Sequence, residues 1–509
     1  MDHGYKNSGR GARSERETRT SNAIELRTQK RDGMLQKKRS LISAGEESTS
    51  KINILVEQVN SKDPNDIIKG VTEFRRLLSA AKCPPIDTVV MNGLTPIFSK
   101  LINPDNPIYT TMPEDLAVRI MHESAWVITN IASGNTTQTM AAVKAGALPN
   151  LVKMMYIDNL MLQDQAIWGI SNIAGDCEVA RDFAISANAA DPMVYIINKE
   201  MEKEELNIPL LRNLAWALSN MNRGRNPPPY ISHTEKCLPA IIKLVGIDDT
   251  DIMVDAYWAL SYMCDAGKNH ADMVISTGIV ADCAARLSAY YTAAIQGDTM
   301  QLHMKEQTLS PIIRILGNIA TYEDEQTDYV LGLGILSTLK GLFALPFENR
   351  KAARVKKEIC WLISNITAGT PEQVDEVIKH GFLEVLVNAM KTADNLVRTE
   401  ACWAICNATI QVGEGTDHSK EIGEAGAIIA FSKFLPSVMN DTKLVSVILD
   451  AVKSLLSWAE CESVGGDNII AAQIESCDLL EYIEELQAAT NYSIASKAED
   501  IIRGYFEGH

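Results

Sequence analysis

The sequence has no apolar run long enough to cross a membrane, and its first fifty residues hold no apolar stretch of the kind that leads a secreted chain. Neither membrane insertion nor secretion is expected. Histidine is sparse, and His3, His122, His233, His270, His303, His380, His418 and His509 are dispersed. The ten cysteines lie scattered through apolar stretches without zinc spacing, and Cys402 and Cys406 stand one helical turn apart with no histidine nearby. The expectation is reduced, buried thiols in a cytosolic or nuclear protein, and no metal. There is no glycine-rich phosphate loop and no nucleophile elbow. Glu25 and Asp32 beside basic residues read as pairs on a helix surface rather than acid–base machinery. No cofactor and no enzymatic activity are expected.

At 509 residues the chain exceeds what one hydrophobic core serves, so it holds several domains or one repeat array. Its net charge of −17 is unevenly spread. Residues 1–40 carry eleven Lys and Arg against five Asp and Glu, a net of +6, and the rest carries −23. An acidic body repels phosphate, which argues against nucleic acid as its ligand and suits a cationic one. The basic arm could occupy the same place.

Tryptophan reveals the repeat. Trp126, Trp168, Trp216, Trp258, Trp361 and Trp403 are 42, 48, 42, 103 and 42 residues apart, and Arg314 divides the long interval. Each marker has a polar partner four residues on: Asn130, Asn172, Asn220, Tyr262, Asn318, Asn365 and Asn407. Segments such as KAGALPNLVKMM (144–155) and KHGFLEVLVNAM (379–390) combine a glycine turn with apolar residues at three- and four-residue spacing. A period near 42 with little β alternation fits armadillo or HEAT units of roughly 40–47 residues. Between residues 60 and 490 there is room for about ten, the outer ones acting as caps.

Residues i and i+4 share a helix face, and so does i−3, which here gives Glu123, Gln165, Asn213, Asp255, Glu358 and Glu400. The neighbouring Ile128, Ile131, Ile170, Leu362 and Ile366 are apolar and should form the core. A recurrent Asn flanked by acids is expected to face outward, because a buried amide needs partners. Stacked units then make a groove with a ladder of Trp and a ladder of Asn. Asn can pair with a peptide's N–H and C=O without reading its sequence. Slots between Trp rings admit the aliphatic stems of Lys and Arg, and cation–π attraction adds about 0.5–2 kcal/mol each. Asp176, Asp255, Asp265, Glu358 and Glu400 supply countercharge. Such a groove selects extended basic peptides.

From about residue 5 to 506 these features resemble the importin-α (karyopherin-α) family. The resemblance implies an all-α, right-handed armadillo superhelical solenoid with two peptide sites. The major site would comprise Trp126, Asn130, Gly134, Thr139, Gln165, Trp168, Asn172, Asp176, Asn213, Trp216, Asn220, Asp255, Trp258 and Asp265, with Asp176 receiving the key lysine of a nuclear localisation signal. The minor site would comprise Arg314, Asn318, Thr321, Asp324, Glu358, Trp361, Asn365, Glu400, Trp403 and Asn407.

YKNSGR (5–10) and IELRTQKRDGMLQKKR (24–39) resemble the importin-β-binding arm, with Arg27, Lys30, Arg31, Lys37, Lys38 and Arg39 as its basic residues. SERETRTSN (14–22) intersperses Glu and Thr where the family carries a dense arginine run. The implied layout is a binding and autoinhibitory arm at 1–50, repeats at 51–464, and a cap at 465–509 that contacts an export factor of the CAS type with Ran-GTP. Implied partners are basic cargo, importin-β and nucleoporins. The implied localisation is cytoplasmic and nuclear, with shuttling. A β-catenin-like adhesion or signalling scaffold is the alternative armadillo reading. Its grooves carry Lys and Arg for acidic partners, whereas the matching positions here are acidic or amide.

Overall fold

The computed structural model describes residues 49–79, 84–297, 299–346, 349–410, 418–462 and 468–506. Every regular element among them is a helix. The described residues fall into two compact units divided between Thr277 and Gly278. Arg27, Lys30, Arg31, Lys37, Lys38 and Arg39 lie outside them.

In the first unit the long helices Pro64–Leu78 (α1), Glu114–Ile131 (α2), Leu160–Asp176 (α3), Ile208–Met221 (α4) and Thr250–Ala266 (α5) pack in series. In the second, Thr299–Ile319 (α6), Asn349–Ile366 (α7), Asn395–Ile410 (α8), Thr442–Glu462 (α9) and Tyr492–Tyr505 (α10) do the same. The spacing of Trp and Asn thus converts into a series of five packed helices within each unit. The remaining helices lie between them in sequence.

Local sequence explains the punctuation. Asn159, Asn207 and Asp249 cap α3, α4 and α5 by accepting from backbone amides within the first turn. The glycine of KAGALPN, Gly146, has φ 77°, and that of KHGFLEV, Gly381, has φ 70°. Only glycine adopts this left-handed turn without strain, so helices end there and restart. The predicted core residues Ile128, Ile131, Ile170, Leu362 and Ile366 are fully buried. Each such side chain stabilises the stack by about 1.5–3 kcal/mol.

Six of the nine described cysteines are buried free thiols, Cys177 and Cys477 are partly buried, and Cys461 is exposed. No described helix is long and apolar enough to cross a membrane. No metal-holding cluster of His, Cys, Asp or Glu occurs among the described residues.

Candidate peptide-binding faces

The marker residues occupy one stripe of each helix, but they are more deeply placed than their polarity suggests. Trp168, Trp216, Trp361 and Trp403 are 4–8% exposed, and Trp168 and Trp216 share one apolar cluster. Trp126 and Trp258 are half-buried. Asn130, Asn172, Asn220, Asn318, Asn365 and Asn407 are all buried.

This departs from the expectation of outward-facing asparagines, and the reason is a partner that one repeat alone does not contain. Asn172 Nδ2 donates to Thr129 O at 3.1 Å, Asn220 to Ser171 O at 3.1 Å, Asn365 to Gly317 O at 3.1 Å and Asn407 to Ser364 O at 2.9 Å. In each case the acceptor lies three residues after the marker of the preceding helix. Asn130 donates instead to the Ser79 hydroxyl at 3.1 Å. Each amide therefore clamps two repeats and is held in one orientation. The Oδ1 atoms of Asn172, Asn220 and Asn365 are buried and accept nothing.

The tryptophan faces are dressed with cations and rings. The Arg314 guanidinium lies 4.3 Å from the Trp361 ring centre and bonds Glu358 at 2.6 Å. Arg75 lies 4.7 Å over Trp126 and bonds Glu123 at 2.8 Å. Tyr262 stacks on Trp258 at 5.9 Å. Arg75 and Ser79 thus hold the Trp and Asn places in the first repeat, 51 residues before Trp126 and Asn130. Extending the period backwards reveals them, although both residue types have changed. Burial pushes the Glu358 carboxyl up, but Arg314 and Lys357 pull it the other way, to about 2.

The acids and amides of the first unit lie along the same helices. Gln165 Nε2 donates to Thr129 Oγ1 at 2.8 Å, and Asn213 Nδ2 donates to Asp164. Asp255 is buried, and Asp265 lies 3.7 Å from Arg225. Asp176 ends α3, partly exposed, with a buried Oδ2 that accepts nothing. Thr139 is buried and bonds Ala132 O at 3.3 Å. In the second unit Thr321 bonds Asn318 O, Asp324 O receives Gln373 Nε2 at 3.1 Å, and Glu400 is buried.

Gly134 has a counterpart at Gly369, and both abut a capping glutamine. A Cβ on Gly134 would sit 1.7 Å from Gln138 Oε1, and one on Gly369 would sit 1.8 Å from Gln373 Oε1. Gln138 and Gln373 close capping boxes and reach back to Asp87 and Asp328, each at 2.7 Å. Both glutamines stand twelve residues after a marker Trp, a signal the Trp–Asn pattern alone does not expose.

Known proteins match this arrangement. Residues 135–175 and 370–410 match the armadillo/β-catenin-like repeat model, and residues 2–73 match the importin beta binding domain model. Rice importin subunit alpha-1a is 31% identical over 96% of this chain and 89% of its own length. Arabidopsis importin subunit alpha-3 is 33% identical over 96% of this chain and 89% of its own. An engineered protein of known crystal structure shares the fold, with a TM-score of 0.69 at 20% identity, covering 90% of this chain and 99% of that one. With basic arm, armadillo repeats and near full-length likeness in hand, the chain belongs to the importin-α family of non-enzymatic nuclear-import adapters.

Proposed function

We propose that the Trp–Asn faces of this adapter bind Lys- and Arg-rich nuclear localisation signals as extended chains, in a major site on α2–α5 and a minor site on α6–α8. The observation that carries this reading is internal. Twice, an arginine of the chain itself rests on a marker tryptophan with its head on the acid three residues earlier: Arg314 on Trp361 with Glu358, and Arg75 on Trp126 with Glu123. A cargo lysine or arginine would use the same combination at Trp258 and Trp403, whose acids three residues earlier are Asp255 and Glu400, and would rest on Trp168 and Trp216 with Asp176 as the principal carboxylate.

The arm at 1–50 binds importin-β and, through Lys37, Lys38 and Arg39, docks on the acidic body when importin-β is absent. The repeats at 51–464 carry the peptide sites. The cap at 465–509 contacts an export factor of the CAS type with Ran-GTP, so that the adapter shuttles between nucleus and cytoplasm, and nucleoporins touch it in transit.

Titration of residues 49–509 with a short Lys-rich peptide tests the central point. Binding should weaken steeply with salt, and Asp176→Lys should remove about 2–5 kcal/mol of it without loss of helicity. Salt-insensitive binding, preference for an acidic peptide as in a β-catenin-like scaffold, or unchanged affinity in Asp176→Lys would sink the reading.

A further inference from the structure

The loop that follows α4 reads Asn226-Pro227-Pro228-Pro229-Tyr230 and plays no part in the Trp–Asn faces. Pro227 and Pro228 each precede a proline, which drives them towards the extended polyproline II region. Proline fixes its own φ in the same place. Tyr230 itself has φ −61° and ψ 141°, and the helix Ile231–Val245 begins immediately after it. Residues 227–230, which follow a cis Asn226–Pro227 bond, therefore favour a short polyproline II stretch that ends in a tyrosine at a helix start.

Its exposure is selective. Pro227 and Pro228 are exposed, Pro229 is buried, and Tyr230 is 68% exposed. Polyproline II has three residues per turn, so Pro227 and Tyr230 share a face with Pro228 beside them, while Pro229 turns inward. Buried anchors hold it from behind. Arg181, 1% exposed, donates to Arg223 O at 2.5 Å and Pro227 O at 2.9 Å, and the His270 ring bonds Pro229 O at 3.1 Å. An open cleft of about 570 Å³ runs between this segment and Ala266–His270, leaving room beside the tyrosine.

We propose that Pro227-Pro228-Pro229-Tyr230 is a docking motif for a WW-type domain, whose aromatic-walled groove takes two prolines and whose neighbouring pocket takes a tyrosine. The chemistry matches position by position. Such domains read the first, second and fourth residues of a Pro-Pro-x-Tyr sequence, and here the one residue left unread is the one that is buried. Recognition of this kind exploits a preformed, low-entropy helix. The anchors at Arg181 and His270 prepay the ordering, so the folded chain should bind at least as well as a free peptide.

The test uses the full chain and a purified WW domain of the Pro-Pro-x-Tyr class, titrated by calorimetry. A synthetic peptide spanning residues 224–235 serves as reference, and Tyr195→Ala, at another exposed tyrosine, as control. The full chain should bind with affinity equal to or above that of the peptide. Tyr230→Ala should weaken binding by about tenfold or more, as loss of an aromatic anchor does, and Tyr195→Ala should leave it unchanged. Tyr230 is surface-exposed, so the variant keeps its fold, and circular dichroism verifies this. Binding by the peptide but not by the chain would mean the loop is held in an unreadable shape and would overturn the proposal. Equal binding by parent and Tyr230→Ala, or failure of the peptide itself, would overturn it too.

Discussion

Replacing Arg314 with alanine isolates the contact that best displays the chemistry of these faces. In the parent, Glu358 is 1% exposed and its carboxyl is held at about 2 by Arg314 and Lys357 against the upward push of burial. A shift from 4.5 to about 2 corresponds to roughly 3 kcal/mol of differential interaction. Removing one partner of a buried pair costs about 3–5 kcal/mol in general, and the surviving Lys357 contact at 3.1 Å places this case at the lower end. The variant should therefore lose about 3 kcal/mol at pH 7 by urea denaturation.

The pH dependence distinguishes the charge from mere packing. In the parent, the lowered pKa contributes stability that is present above the ordinary carboxylate value and is lost as pH falls towards 2. In Arg314→Ala the main depressing charge is gone, so burial lifts the carboxyl, and protonation now relieves the folded state. The stability gap between parent and variant should accordingly narrow from pH 7 to pH 4. A gap that stays constant over that range would refute the argument and leave Arg314 a packing residue. The same substitution bares the Trp361 face, so affinity for a basic peptide that reaches α7 should rise, as titration would reveal.

Gly317→Ala should cost about 1–3 kcal/mol in thermal or urea unfolding and quench differences in Trp361 fluorescence, because a Cβ there would lie 2.2 Å from the Trp361 ring. Trp361→Ala with Trp403→Ala should weaken two-part basic signals far more than short ones, since only the former need both sites at once; equal losses in calorimetry would make these residues structural only. Deleting residues 1–48 should raise affinity for a basic peptide by about tenfold or more and abolish importin-β binding, and unchanged peptide affinity would mean that the arm does not autoinhibit.

Much of the fold was legible because its signal repeats. A Trp with Asn four residues later, five times over, dictates a shared helix face, and Ile128, Ile170 and Leu362 beside it dictate the core. The turns at Gly146 and Gly381 were equally plain, since each glycine carries the positive φ its context required. What stayed hidden depends on contacts between repeats. Nothing within one repeat tells that Asn220 meets the carbonyl of Ser171, 49 residues earlier, so its burial could not be foreseen. Arg75 and Ser79 escaped because the first repeat keeps the geometry of the pattern while changing its residues. Gln138 and Gln373 escaped because their role joins a capping box to a carboxylate of the previous repeat.

The asparagine clamp bears on how such an array can lengthen and drift. Its acceptor is a main-chain carbonyl, supplied in turn by Thr129, Ser171, Gly317 and Ser364, four positions with three different side chains. At these four joints the backbone acceptor survives substitution on its receiving side, whereas Asn130 depends on the Ser79 hydroxyl. A duplicated repeat arrives with one donor and one acceptor already placed, so it splices into the series without any compensating change in its neighbours. Copying a repeat also copies its clamping amide, and growth of the scaffold and the joint that holds the new unit become a single genetic event.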